Sequence, residues 1–354
     1  MPLLESLTIK NFRGFDALEI DGLSKINIFL GKNNSGKTSV LESLFLLLGM
    51  SNPMLPKVVN QFRGFNSGAA TQLNYLFHNL KAENKPSFYG KFSDQSERWL
   101  ELEAQYQDNP EPILSDGTGI SISMPAINGV DLNFSIKKIQ DPKKTYKSSL
   151  LYENKALSYK LSGDYTEELQ ALFVSSDKND SSVLARYSEI VKRKEGDFIL
   201  NSLRQFDDNI IGIQALPDGL YFDVKGFDEL TSISMMGDGV KQFLSVITAV
   251  AAKKDSFVLI DEIENGLHHS KLKLLWRCAL SLAERYNSQL FIVTHDMEII
   301  SRLVEVLGEK EYTFMQDFVE KFTIAKTLSK GYKSYRLSFE GLQDAVDLKH
   351  ELRY

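Results

Sequence analysis

The chain of 354 residues contains a single cysteine, Cys278, so no disulfide can form within it. That scarcity points to a reducing compartment and a cytoplasmic location. No apolar run is long enough to cross a bilayer, because the longest, residues 40–50, is interrupted by Glu42 and Ser43. The start, MPLLESLTIKNFRGF, carries Glu5 and lacks an apolar centre, so no secretory leader is expected there. Positive charge is in deficit: 41 Lys and Arg against 47 Asp and Glu leave a net charge of −6. A surface of that balance does not attract nucleic acid as a whole, and any such contact needs a local basic patch. There are no internal repeats, no low-complexity tracts and no sustained heptad, which excludes a solenoid and a long coiled coil. The histidines His78, His268, His269 and His350 show no zinc-ligand spacing with any cysteine pair, and His268-His269 reads as a turn.

What is present is an ordinary globular composition, 43% hydrophobic and 25% charged. Residues 3–10 and 18–30 read as strands. Val40, Leu41, Leu44, Phe45, Leu47 and Leu48 recur at the spacing of an amphipathic helix, which Gly49 closes. Pro53, Pro56, Gly64 and Gly68 mark loops. Segments 88–92, 99–106, 119–124 and 130–137 have strand character and predict an antiparallel meander, with turns at Asp116-Gly117 and Asn128-Gly129. Residues 167–173 and 183–206 read as helical, and 209–213 and 219–224 as strands. Then helix 240–252, strand 257–261, helix 270–286, strand 290–294 and helix 297–307 alternate, as a parallel sheet requires. The expected fold class is α/β, with a mostly parallel core sheet, an antiparallel β-subdomain and an inserted helical subdomain.

Gly31-Lys32-Asn33-Asn34-Ser35-Gly36-Lys37-Thr38 fits G-x-x-x-x-G-K-[ST]. Its glycines let successive N–H groups wrap phosphate oxygens at a helix N-terminus. The motif follows a strand and opens a helix, the context that a phosphate loop needs. Gly31, Asn33, Asn34, Ser35, Gly36, Lys37, Thr38 and Ser39 are therefore the candidate ATP-binding set. Lys37 would neutralise the β- and γ-phosphates, and Thr38 would offer its hydroxyl to Mg²⁺.

Phe257-Val258-Leu259-Ile260 is a continuous apolar run, as a buried parallel strand should be, and Asp261 and Glu262 close it. Ligands of open α/β sheets bind at such strand ends. Asp261 would hold Mg²⁺ through water, and Glu262 would act as general base toward the attacking water. Residues 290–294 form a second buried strand ending in His295-Asp296, from which His295 can reach the γ-phosphate side of the same pocket. Gly237-Asp238-Gly239 opens a helix that carries Val240, Phe243, Leu244, Ile247, Val250 and Ala251 on one face. That turn is a second anion-binding device. One nucleotide has one set of phosphates, so the second device would cap a nucleotide held by another subunit.

LTIKNFRGF, GKNNSGKT, MMGDGVKQ, FVLIDEIENGLHH and FIVTHD, in that order, resemble the ABC-type ATPases of the RecF, SMC and OLD (overcoming lysogenization defect) groups. The resemblance is specific over residues 20–50 and 230–300. It implies an ABC-ATPase P-loop fold in one domain, 1–354, made of an N-terminal lobe 1–137, a helical insertion 138–208 and a C-terminal lobe 209–354. Gly237, Asp238 and Gly239 then stand in for the signature turn, with Met236 where that motif usually has serine, unless Ser234 takes its place. Glu264-Asn265-Gly266 becomes the loop that meets its two-fold mate. His295 becomes the switch histidine, and a Mg²⁺-sensing loop is sought near residues 173–177. Catalysis would rest on Glu262, His295 and Lys37, and metal binding on Thr38 and Asp261.

OLD-type proteins continue into a TOPRIM nuclease domain, yet no Asp-x-Asp pair follows His295, so the chain reads as the ATPase half alone. The implied partners are a second copy of the chain, as a homodimer or higher homo-oligomer around ATP, and a separately encoded nuclease or toxin of a bacterial anti-phage system. DNA repair of the RecF kind, and an ATP-stabilised scaffold with negligible turnover, are the alternatives. No membrane partner is expected. Lys137-Lys138, Lys143-Lys144 with Lys147, and Lys192-Arg193-Lys194 are either nucleic-acid contacts or solvated faces, interrupted by Asp141 and Glu195. Arg13 is either a ligand contact or part of a surface turn.

Overall fold

The computed structural model describes residues 1–65, 70–106, 127–153, 156–175, 180–327 and 331–348. The chain opens with β1 (Leu4–Phe12), β2 (Phe15–Asp21) and β3 (Ile26–Leu30), followed by helices α1 (Lys37–Leu48) and α2 (Leu55–Gln61). Then come β4 (Ser87–Phe92), β5 (Glu97–Tyr106), β6 (Ile127–Lys137), β7 (Lys144–Glu153), β8 (Ala156–Lys160) and β9 (Gln170–Val174). Helices α3 (Asp180–Lys192) and α4 (Gly196–Phe206) precede β10 (Ile210–Leu216), β11 (Gly219–Val224) and the short β12 (Thr231–Ser232). The last third holds α5 (Asp238–Ala252), β13 (Ser256–Ile260), α6 (Leu272–Arg285), β14 (Gln289–Val293), α7 (Met297–Leu307), β15 (Val319–Thr327), β16 (Gly331–Ser338) and α8 (Phe339–Asp347).

The core sheet has the order β16-β15-β3-β14-β13-β9. All its pairings are parallel except β15–β16. The strands β3, β13 and β14 are buried along their whole length. Their alternate residues serve two cores. Ile28, Ile260 and Ile292 pack with the helices α3 to α8 on one face. Phe29, Leu259 and Phe291 pack with α1 and the meander on the other. A strand covered on both faces needs apolar residues at every position, which is why these runs are unbroken. The second sheet is antiparallel, in the order β2-β1-β4-β5-β6-β7-β8. This is the expected α/β P-loop architecture with a mostly parallel core and an antiparallel partner sheet.

Several local readings change. Residues 170–174 form a strand, β9, on the edge of the core sheet, where the sequence predicts a helix. A short apolar run does not distinguish the two, and pairing with β13 decides it. The stretch expected to be helical from 138 is strand through β7 and β8, and helices begin only at Asp180. Asn128-Gly129 is not a turn but lies inside β6, paired to β5 and β7. The segment 119–124 and the Asp116-Gly117 turn lie outside the described residues. Helix α1 is buried nearly all round rather than amphipathic, because it sits between the two sheets. Only three residues, 193–195, join α3 to α4. Arg193 fastens that corner by donating to the carbonyls of Ala251 and Ala252 at the end of α5.

One ion cluster sets α1 against the segment that follows it. Glu42, fully buried on α1, meets Arg13 at 2.6 Å and Arg63 at 2.7 Å. Arg13 also donates to the Val59 carbonyl and Asn60 Oδ1. Its side chain is 7% exposed, so the NFRGF turn buries its arginine rather than offering it to a ligand. Burial pushes the Arg13 guanidinium down to about 10, against the pull of Glu42. Removing one member of such a cluster leaves uncompensated buried charge. Glu42→Ala is expected to cost ~3–5 kcal/mol of unfolding free energy, read by denaturant titration. A loss below ~1 kcal/mol would show that the two arginines find water or other partners.

Candidate functional site

The three motif-bearing strands are in one register. Ile260 on β13 pairs with Ile292 on β14, which pairs with Ile28 on β3. The phosphate loop, Thr294-His295 and Asp261-Glu262 therefore leave the sheet at the same edge. They surround a cleft of 380 Å³ lined by residues 33–39 with Arg63, Glu262, Val293 and His295. That volume suits a small-molecule ligand. Two larger clefts, of 560 and 760 Å³, lie against the meander, away from the phosphate loop.

The loop is built around an ammonium group. Lys37 Nζ donates to the carbonyls of Gly31 at 2.8 Å and Lys32 at 2.9 Å. Burial lowers its basicity, and Asp261, Glu262 and Glu264 oppose that effect. Gly36 has φ +91°, and a Cβ there would lie 2.5 Å from Phe15 Cζ, so only glycine fits. Asn34 takes a left-handed φ of 64°, which asparagine tolerates. The Ser35 hydroxyl is buried with no hydrogen-bond partner, a group that a bound oxyanion would satisfy. Ser39 is engaged by Arg63 Nη2 at 2.9 Å, so this arginine, which the motif reading missed, reaches both the cleft and Glu42.

Thr38 Oγ1 lies 3.2 Å from each oxygen of Asp261. Burial pushes the Asp261 carboxyl up to about 6, and the Thr38 hydrogen bond opposes it. Among the described residues, no group of three or more His, Cys, Asp or Glu side chains could hold a metal. A hydroxyl beside one carboxylate fits Mg²⁺, which keeps several waters and shares the rest of its shell with a nucleotide. Glu262 has a left-handed φ of 50°, and its side chain is 45% exposed at the cleft. His295 Nδ1 stands 3.9 Å from Glu262 and 3.4 Å from Glu264. Glu264, assigned by resemblance to a subunit contact, turns inward and accepts from the Thr294 hydroxyl at 2.7 Å.

Gly237 and Asp238 are exposed and Gly239 half-buried, and none of the three lines the cleft. The N-cap residue of α5 is Gly237, which has no side chain to cap the helix. Ser234 bonds Ser232 rather than the turn. The turn instead packs against the loop after β13: a Cβ on Gly266 (φ +73°) would lie 2.9 Å from Asp238 Cβ. Gln242, fully buried one turn along α5, donates toward the carbonyls of Glu262 at 3.3 Å and Ile263 at 3.4 Å. Of the region proposed for a Mg²⁺-sensing loop, residues 173–175 end β9 and residues 176–177 lie outside the described set.

Four of the eight basic residues in the three stretches are seen in ion pairs. Lys138 pairs with Glu168, Lys147 with Asp131, Lys192 with Glu189 and Arg193 with Glu195. His268 and His269 stack on each other with ring centroids 3.9 Å apart. No helix among the described residues is long and apolar enough to cross a membrane.

Comparison with known proteins finds a family and several relatives. The family model described as "AAA domain, putative AbiEii toxin, Type IV TA system" matches residues 26–301. A protein of Helicobacter pylori named ATP/GTP phosphatase is 27% identical over 338 residues, 88% of this chain and 90% of that one. The DNA replication and repair protein RecF of Streptococcus gordonii is 52% identical over 44 residues, 12% of each chain. Among solved structures, an Smc head domain from Pyrococcus furiosus, bound to the C-terminal domain of ScpA, aligns with 99% of this chain and 100% of its own. It does so at 14% identity and a TM-score of 0.47.

The position of Asp261 makes stability depend on pH. Between its ordinary value of 3.8 and about 6, the unfolded chain loses a proton that the folded chain keeps. Stability therefore falls as pH rises through that window, and the loss is complete above it. In EDTA, Asp261→Asn should stabilise the protein by ~1–3 kcal/mol at pH 7.5 and by nothing near pH 4, read by denaturant titration. An equal gain at both pH values would show that the carboxylate is not strained.

Proposed function

Since the chain belongs to the AAA-domain family whose model spans residues 26–301 and is an ATPase of the ABC type, we propose that it is a nucleotide-gated switch. It binds ATP with Mg²⁺, closes with a second copy around the nucleotide, hydrolyses it, and controls a separately encoded effector. The observation that carries this reading is the meeting of Lys37, Glu262 and His295 in one cleft, with the Thr38–Asp261 pair at its floor.

In this reading Lys37 exchanges the Gly31 and Lys32 carbonyls for β- and γ-phosphate oxygens. Thr38 and Asp261 hold the metal, and residues 33–36 with Ser39 line the phosphates. Mg²⁺, when bound, neutralises charge between the β- and γ-phosphate oxygens. Glu262 accepts a proton from water as the water oxygen attacks the γ-phosphorus and ADP leaves. His295 stands at the γ-phosphate side of that water. Gly237 and Asp238 are exposed at the N-terminus of α5, and the dipole of that helix suits phosphates bound by a second copy. The toxin named in the family description, and the short α3–α4 corner in place of a long coiled coil, support an effector of the toxin or nuclease kind over a DNA-spanning machine.

A second reading keeps the dimer and removes fast turnover. Met236 occupies the place of a signature serine, which takes away one γ-phosphate hydroxyl. ATP would then act as structural glue in a scaffold, and steady-state phosphate release separates the two readings.

Lys37→Ala should abolish nucleotide binding in isothermal titration. Glu262→Gln should slow phosphate release by ~100-fold or more while retaining ATP, and it should sediment as a dimer in ATP and Mg²⁺. A Glu262→Gln protein that sediments identically with and without ATP would sink the dimer.

A further inference from the structure

Glu264 is buried beside the cleft but does not line it. Its side chain is 10% exposed. The Thr294 hydroxyl donates to Oε1 at 2.7 Å, and the backbone N–H of His295 donates to the same oxygen at 3.3 Å. His295 Nδ1 lies 3.4 Å from that oxygen, closer than it lies to Glu262. The other oxygen, Oε2, is buried with no partner. Burial pushes the Glu264 carboxyl up, and the Thr294 and His295 donors oppose this. A carboxylate held at that cost, with its contacts concentrated on residues 294 and 295, has a use at the histidine.

We propose that Glu264 is a positioning residue for His295, accepting the proton on Nδ1 so that Nε2 is turned to the γ-phosphate side of the cleft. The inference rests on the proposed role of His295 at that side. An imidazole has two tautomers and a free ring axis. A carboxylate behind one nitrogen fixes both, as it does for metal-bound and triad histidines. With the proton on Nδ1, the Nε2 lone pair can accept a hydrogen bond from the attacking water and hold it in line with the γ-phosphorus. Thr294 completes the arrangement by fixing Oε1 from the strand that carries His295. The competing account is a turn whose carboxylate merely satisfies local donors, with no consequence for the ring.

The test compares Glu264→Met, which fills the space without an acceptor, with Glu264→Gln, whose amide oxygen can still accept from Nδ1. Steady-state phosphate release should fall ~10–100-fold in the first and less than fivefold in the second, with the KM for ATP within twofold of wild type in both. Imidazole ¹⁵N spectra of the full chain should show His295 protonated on Nδ1 in the wild type and on Nε2 in Glu264→Met. The double variant Glu264→Met/His295→Ala should be no slower than His295→Ala alone. Thr294→Val, which removes only the anchoring hydroxyl, should move the rate in the same direction by a smaller factor, and serves if Glu264→Met does not fold. Equal rates in Glu264→Met and wild type, equal losses in the Met and Gln variants, an unchanged tautomer, or multiplicative loss in the double variant would each overturn the inference. If His295→Ala itself turns over normally, the proposed role of His295 fails as well. A slow His295→Ala beside a normal Glu264→Met removes only the role of Glu264.

Discussion

The parallel register of β3, β14 and β13 is the constraint from which the cleft follows. Ile28, Ile292 and Ile260 stand side by side, so the residues beyond them leave the sheet along one line. The phosphate loop, the threonine–histidine pair and the two carboxylates meet because those strands end together. A slip of one residue in any strand would move its motif by more than 3 Å and turn its side chains to the other face. Such a slip is prevented by the sorting of alternate residues into two different cores. Isoleucines face the helices while phenylalanines and Leu259 face α1 and the meander. The packing that makes the sheet stable is the same packing that aligns the site.

Charge burial is the second organising cost. Lys37, Asp261, Glu264, Glu42 and Arg13 are all drawn wholly or largely out of water, while Arg63, which reaches Glu42, stays partly exposed. Each has an internal partner, but of unequal quality. The Glu42 cluster is closed, with short contacts to two guanidinium groups, and it acts as a fixed joint between α1 and the segment after α2. Among the described residues Lys37 donates to carbonyls and Asp261 accepts from a hydroxyl, partners that a phosphate and, in the proposed reading, a metal would outcompete. Strong pairs lie where the structure must hold still, and weak pairs lie where a ligand enters.

The motifs were legible because backbone chemistry dictates them. A loop that wraps phosphate needs its glycines at fixed spacing, and a doubly covered strand needs an unbroken apolar run. GKNNSGKT and FVLIDE carry those requirements in consecutive residues. The elements that were misread depend on distant partners. QALFV became β9 because β13 offered an edge. Residues 144–160, rich in lysine and serine, became β7 and β8 because one face of the meander is solvated. In β15, Glu320 and Lys321 interrupt the apolar pattern although both are buried, Glu320 being paired with Arg336. The tether of Gln242 and the inward contact of Glu264 were hidden for the same reason: their partners lie about twenty to thirty residues away along the chain, and only the packing brings them together.

The glycine turn that opened the question of a second anion site is not isolated from the first. Gly239 and Gly266 approach so closely that a Cβ on Gly239 would lie 2.9 Å from the Gly266 carbonyl oxygen. Gln242 reaches from the same helix to the carbonyl of Glu262, whose backbone is already held in the left-handed region. The N-terminus of α5 and the loop carrying Glu262 and Glu264 therefore share a close backbone contact and a side-chain tether. Interiors packed at this density rearrange as units and not by gradual deformation. A force that displaces the outward-facing turn of α5 is consequently borne by the loop that carries Glu262 and Glu264. An anion bound at the outer turn, as proposed, would therefore act on the same piece that carries Glu262 into the cleft.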